Sequence, residues 1–151
     1  MTSPIDQEFF KLLSMSYRRL LGKPLVASDI PAEEAAVWLY EKAPFGLLAH
    51  NTEPDPVFVY GNRKAQELFE YSWNELTALP SKLSAEAPDR DARQAFLEQV
   101  QRHGFVAAYR GVRVAKSGRR FWIENAVVWQ LHDETGRYCG QAALIPGSST
   151  A

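Results

Sequence analysis

Three histidines, one cysteine and a few amide, acid and aromatic side chains carry whatever chemistry this 151-residue chain can do. His50, His103 and His132 are far apart in the sequence, and no H-E-x-x-H spacing gathers metal ligands onto one helix. G-x-x-x-x-G-K-[ST], G-x-G-x-x-G and G-x-S-x-G are absent too, so the familiar phosphate-cradling and nucleophile-elbow chemistries are missing. The reading is therefore not of an enzyme. His132 stands beside Asp133 at a turn, a solvated position. His50 closes an apolar run next to Asn51-Thr52-Glu53, where hydrogen bonding or capping is its natural role. His103 ends a long predicted helix, where a cation suits the helix C-terminus. Cys139 is a packed small residue in a strand-like run, with a redox-sensing thiol as the alternative. Asn125 shares an alternating face with Phe121, Ile123, Val127 and Trp129. A buried amide there needs a partner, either backbone at a bulge or a ligand, because leaving it unpaired costs about 1–3 kcal/mol. Glu124 and Arg113 fall on neighbouring predicted strands and are expected to pair across the sheet. Tyr71, Trp73, Tyr109 and Trp129 add aromatics with polar tips, which suit a pocket of apolar walls and suit an ordinary core as well.

These residues must be positioned by short elements. Pro4 to Leu21 reads as a helix, with Ser3 as cap, Pro4 at the first helical position and Asp6 in the first turn. Phe9, Phe10, Leu13, Tyr17, Leu20 and Leu21 recur at helical spacing, and Gly22 with Pro24 ends the segment. A second helix follows Asp29 and runs to about Lys42, with Ala35, Trp38 and Leu39 as its stripe. Neither is stable alone, so both must pack on something. Phe45 to His50 and Val57 to Tyr60 read as strands around a turn. Gly61-Asn62 breaks the second strand into a helix, Arg63 to Glu70, whose inner face is Ala65, Leu68 and Phe69. Ser72 caps a further turn to Leu76, with Glu75 closing a capping box. In the segment LPSKLSAE, Leu79-Pro80 ends that turn. Ser81, Ser84 and Glu86 then form either a capped loop or hydrogen-bonding groups for a ligand. Pro88-Asp89 opens a longer helix with Ala92, Phe96, Leu97 and Val100 inward, stopped by Gly104. Phe105 to Ala115, Arg119 to Leu131 and Arg137 to Ile145 are strands joined by glycine-bearing hairpin loops. In the middle one, Phe121, Ile123, Val127, Trp129 and Leu131 form the predicted inner face. The order argues for an α+β domain and not an alternating parallel sheet.

Composition narrows the classes further. Hydrophobic residues make up 46% and charged residues 23%, which is a globular balance. Seventeen basic and 18 acidic residues leave a formal charge of -1, which gives no electrostatic footprint for nucleic acid. The basic cluster Arg110, Arg113, Lys116, Arg119 and Arg120 reads as the solvated end of a hairpin. One cysteine allows no internal disulfide. No apolar run approaches the roughly 20 residues that cross a bilayer, and no signal-peptide pattern is present. No membrane association and a cytoplasmic location are expected.

The order of elements, with VYGNRKAQELFEYSWNEL in the first half and KSGRRFWIENAVVWQLHDETGRYCGQ in the second, resembles a PAS domain. In that family the second strand ends in an asparagine that caps the first crossover helix, and Asn62 falls there. LAHNTEPDPVFVYGN, LPSKLSAE, YRGVRV, GRRFWIENAVVW and GQAA, in that order, are similar to the MEKHLA domain. That PAS-related family occurs in plant homeodomain-leucine zipper proteins and as stand-alone bacterial proteins. The chain has no homeodomain or zipper, so a DNA-binding role does not carry over. The resemblance implies a five-stranded antiparallel sheet (residues 44–146) with crossover helices on one face. The two N-terminal helices (1–43) form an extension packed on the core, and residues 147–151 are expected to fray. It also implies a sensory module binding a small molecule between helices and sheet, or a ligand-free interaction module, with a small enzyme using the same cavity as a distant third. The candidate pocket residues are Phe69, Tyr71, Trp73, Tyr109, Phe121, Asn125 and Trp129. Haem ligation by His103 is disfavoured because the last helical turn faces solvent. Covalent flavin chemistry is disfavoured because no cysteine follows the first crossover helix, so the cofactor is left open. A homodimer is expected through the first helix, Trp38 and Trp122. With no output domain attached, any signal passes to a separate protein.

Overall fold

Local capping chemistry sets most of the element boundaries. The computed structural model describes residues 3–85 and 87–150, the side chains of residues 87–93 and 97 excepted. It opens with α1 (Gln7–Leu21) and α2 (Ala35–Glu41). Asp6, and not Ser3, caps α1: its carboxylate accepts the Glu8 N–H at 2.9 Å, so the helix starts later than predicted. A 3-10 turn at Ala32–Glu34 replaces the start of the second predicted helix. β1 (Gly46–His50), β2 (Phe58–Gly61), α3 (Arg63–Phe69) and α4 (Trp73–Leu76) follow. A 3-10 turn at Ser81–Ser84 leads to α5 (Ala87–His103), and then come β3 (Phe105–Val114), β4 (Arg120–His132), β5 (Tyr138–Ile145) and β6 (Gly147–Thr150). The Ser72–Glu75 capping box of α4 forms as expected.

Asn62 makes the abrupt strand-to-helix turn. It is fully buried, and its Oδ1 accepts the N–H of Ala65 at 3.0 Å as the cap of α3 and the N–H of Leu47 at 3.0 Å. Its amide nitrogen donates to the carbonyls of Leu39 and Phe45, both at 3.0 Å. One side chain thereby ties α2, β1 and α3 together with every donor and acceptor satisfied. Gly61 beside it is required for packing, because a β-carbon there would run into the Leu76 side chain.

The sheet is antiparallel in the order β2-β1-β5-β4-β3, the five-stranded path expected from the sequence. A sixth strand is a correction to that expectation. Residues 147–150, predicted to fray, pair with Phe121–Glu124 of β4, while β5 pairs with 127–132 of the same strand. Pro146, which has no N–H to give a ladder, separates the two pairings.

Asn125 falls at that same gap, and here the sequence reading fails. Its φ is +54° and it is exposed, not buried among apolar neighbours. The bulge reverses the phase of β4. Phe121, Ile123 and Ala126 belong to one core cluster, whereas Trp129 and Leu131, with half-buried Val127, belong to another on the opposite face. The expected single inner face is therefore split between two.

The inner cluster joins Leu48, Phe58, Phe121, Ile123 and Ile145 of the sheet to Ala65 and Phe69 of α3 and Leu76 of α4. The outer cluster joins Leu47, Tyr60, Trp129 and Leu131 to Leu13 and Tyr17 of α1 and Leu39 and Tyr40 of α2. Tyr17 meets Trp129 edge-on with ring centroids 4.8 Å apart. Ser16 and Arg19 of α1 both donate to the carbonyl of His132, at 3.2 and 2.6 Å, and Ser16 Oγ accepts the His132 N–H at 3.0 Å. The apolar stripe of α1 thus packs on the chain's own sheet. Trp122, expected to face a partner, is half-buried under the Arg110 guanidinium, 3.7 Å from its ring centre.

Candidate ligand site on the inner face of the sheet

Between α5, the Ser81–Ser84 turn and the inner face of the sheet lies a cavity of about 50 Å³. Its apolar walls include Leu48, Phe58, Phe69, Ile123, Val128 and Ile145, and its polar ones are His50, Ser84, Tyr109, Arg113 and Gln141. A wider hollow of about 380 Å³ borders it, sharing His50 and Gln141 and reaching the loop 51–56, Lys82, Glu98 and Tyr138.

Backbone irregularity aims the polar groups. Ala108 has φ +58°, and β3 slips register against β4 on either side of Tyr109. This bulge opposite the one at Asn125 turns Tyr109 inward, where its ring stacks on Phe96 of α5 with centroids 3.9 Å apart. The ring curls over Gly111, whose missing β-carbon leaves room for the phenol. That phenol oxygen accepts from Arg113 Nη2 at 3.1 Å, and Arg113 Nη1 donates to the Val112 carbonyl at 2.7 Å. Arg113 is only 8% exposed. The expected Arg113–Glu124 pair does not form: Glu124 lies on the other face and pairs with Arg110 at 3.5 Å. His50 Nδ1 sits 2.9 Å from the Asn51 carbonyl, which can only accept, so the proton is on Nδ1.

LPSKLSAE has a structural explanation up to Ala85. Phe58 donates to the Leu79 carbonyl at 3.1 Å and Ser81 to the Pro56 carbonyl at 2.8 Å, which seats the segment against β2. Ser84 Oγ then donates to the Ser81 carbonyl at 2.7 Å while its side chain borders the cavity. Glu86 lies outside the described residues, as do the side chains of Ala92 and Leu97. On α5, Val100 is fully buried as expected.

Of the seven residues predicted for the pocket, Phe69 and Tyr109 line the cavity. Phe121 sits behind Phe69 at 5.1 Å between centroids, and Tyr71 packs on the same cluster without reaching the cavity. Trp73 belongs instead to an aromatic group with Tyr40 and Tyr60, each 5.8 Å away. Trp129 lies on the opposite face beneath α1, and Asn125 is exposed at the bulge. Arg113 and Gln141 line the cavity without having been nominated for it, and Ser84, offered as either a loop cap or a ligand contact, lines it as well. Arg113 was read both as part of a solvated hairpin end and as the cross-strand partner of Glu124, and no local signal in the sequence marks it as a cavity wall.

A twisted antiparallel sheet with crossover helices and a hollow over one face defines the chain as a PAS-like α+β domain. Solved structures agree. The PAS domain of a protein from Colwellia psychrerythraea superposes with TM-score 0.63 at 13% identity, covering 76% of this chain and 92% of that one. An RNA-binding light-oxygen-voltage receptor gives 0.64 at 17% identity, covering 81% and 35%. The light-state dimer of the fungal blue-light photoreceptor Vivid gives 0.57 at 18% identity, covering 86% and 90%. The MEKHLA domain family matches residues 7–149, a span that includes both N-terminal helices and most of β6, and the chain belongs to that family. The homeobox-leucine zipper protein REVOLUTA of Arabidopsis thaliana is 26% identical over 136 residues, 85% of this chain. The chain spans 15% of that relative's length.

The residues present do not fit a flavin-sized cofactor. The cavity is far below the several hundred Å³ of a cofactor-sized pocket. Cys139, the chain's one cysteine, packs with the outer cluster, and its thiol donates to the Arg137 carbonyl at 3.3 Å. His103 is exposed at the end of α5, away from any position a haem iron could share with the cavity. No helix among the described residues is long and apolar enough to cross a membrane.

Proposed function

We propose that this chain is a sensory module that binds a small molecule on the inner face of its sheet and passes the signal to a separate protein. The observation that carries this is the cavity itself, where an apolar wall meets a few fixed polar groups, Arg113, Tyr109, Ser84 and Gln141. In this reading residues 1–43 are a structural cover on the outer face and residues 44–146 hold the ligand. The ligand is small, and the shared walls with the wider hollow give it a way in. The protein binds and signals without catalysing a reaction. Native mass spectrometry of freshly purified protein, with an absorption spectrum of the same sample, tests this. A low-mass adduct that is lost on collisional activation is expected. A bare polypeptide mass that no added small molecule changes contradicts it.

The size of the cavity, about 50 Å³, favours one other reading, a ligand-free interaction module that pairs with a second copy or another chain. Such a protein runs as a concentration-dependent dimer with no adduct. Since the apolar stripe of α1 is packed inside the chain, that pairing uses other surfaces.

A further inference from the structure

We propose that the ligand of the inner cavity is a short-chain carboxylate whose acid group is held by Arg113. This rests on the binding reading above and gives it a chemical class. Arg113 is a cavity wall, 8% exposed, and the hydrogen bonds it makes go to the Val112 carbonyl and the Tyr109 phenol, both neutral. Among the described residues no carboxylate lies within ion-pair distance of it, and Glu124, the nearest acid by register, is engaged by Arg110 on the other face.

A guanidinium cannot shed its charge by losing a proton, and a charge removed from water is normally paired. A fixed positive charge therefore faces a space lined mainly by hydrocarbon. That environment selects an anion. A planar carboxylate matches the guanidinium fork, which has five N–H donors and uses two of them on the partners named. The tyrosine ring, 5.5 Å from the guanidinium carbon, and Phe96 stacked on it hold the fork in place.

Size sets the rest. At roughly 10–15 Å³ per water-sized atom, a cavity of this volume admits about three to five heavy atoms, the scale of acetate or propionate. Walls such as Leu48, Phe58 and Ile145 favour an acid that carries hydrocarbon over a fully hydrated inorganic anion.

Isothermal calorimetry in a carboxylate-free buffer tests this on the full chain, with acetate, propionate, propanol and nitrate as probes. Propionate is expected to bind at least tenfold more tightly than propanol or nitrate. Arg113→Met keeps the length of the stem and removes the charge. It is expected to lose propionate binding at least tenfold while melting no lower than the wild type, because it removes a buried cation that has no carboxylate partner among the described residues. Arg113→Lys keeps a charge without the fork, and is expected to retain binding weaker than wild type but above Arg113→Met. Propanol binding as tightly as propionate, or Arg113→Met binding propionate undiminished, overturns the assignment while leaving the pocket reading intact. Nitrate matching propionate overturns the carboxylate class. No binding by any probe overturns the carboxylate assignment, while the pocket reading is decided by the native mass spectrum.

Discussion

The two faces of the sheet are built from the same strands and do different work. On the outer face, α1 and α2 lie flat over Trp129, Leu131, Leu47 and Tyr60, and the space is filled. That packing is tight enough to leave Tyr60 Oη and Trp129 Nε1 buried without a hydrogen-bond partner, a cost of roughly 1–3 kcal/mol each. On the inner face, α3, α4, α5 and a 3-10 turn arch over the strands and leave a cavity with a buried cation in its wall. Apolar content alone therefore does not mark the face that carries the cavity. The larger aromatic surface lies on the face without the cavity.

Substitutions on the two faces are expected to differ in cost. Trp129→Ala carries the largest expected effect: emptying a fully buried indole site under Tyr17 is expected to destabilise by about 4 kcal/mol, read as a shift in the urea midpoint. Asn62→Ala strips the junction between the two faces of four hydrogen bonds, leaving the Leu47 and Ala65 N–H groups and the Leu39 and Phe45 carbonyls to find other partners. A loss of about 3 kcal/mol in the same assay is expected. Asn62→Asp keeps the acceptor but turns a second oxygen towards the Leu39 and Phe45 carbonyls in a fully buried site, so it is expected to lose at least as much. By contrast Phe96→Ala, on the lid of the inner face, removes one stacked ring from Tyr109 and is expected to cost about 1 kcal/mol. A loss as large as that of Trp129→Ala would show that the inner face is packed as tightly as the outer.

The smallest effect concerns the rim of the inner face, where exposed ion pairs tie the helices to the β3–β4 turn. Lys116 hydrogen-bonds Glu75, and Arg119 Nε donates to Glu70 at 3.1 Å. The Lys116 ammonium, together with the Ser72 N–H, holds the Glu75 carboxyl down to about 2. A carboxyl depressed in the folded state stabilises above its ordinary value of 4.5, and that contribution fades as pH falls from about 5 towards 2. The melting temperature is therefore expected to drop over that window, and Glu75→Gln should flatten the slope. Both sites are exposed, so the effect is modest and shrinks in salt.

How far the sequence could be read depends on where its rules were local. Asn62, Ser72 and Glu75 carry their signals within three residues, and each behaves as its spacing predicts. The β4 alternation was legible only up to Asn125. A bulge adds one residue and inverts everything beyond it, and a non-glycine residue at φ +54° leaves no strong mark in the sequence. That one inversion moved Trp129 to the outer face and so removed it from the candidate site. Arg113 was missed for a different reason. Its importance lies in having no carboxylate partner among the described residues, and such a gap in space has no motif. The β6 strand was missed because Gly147-Ser148-Ser149-Thr150 has no apolar pattern. It pairs because β4 continues alongside it.

The central claim, that small molecules enter the inner face while the outer face is structural, is most directly tested by a 15N-resolved NMR titration with propionate. The account predicts that the amides of Ser84, Tyr109, Arg113 and Gln141 shift together while the Trp129 indole N–H and the amides of α1 stay still. Shifts led by the Trp129 indole and α1, or no shifts at any propionate concentration the fold tolerates, would contradict it.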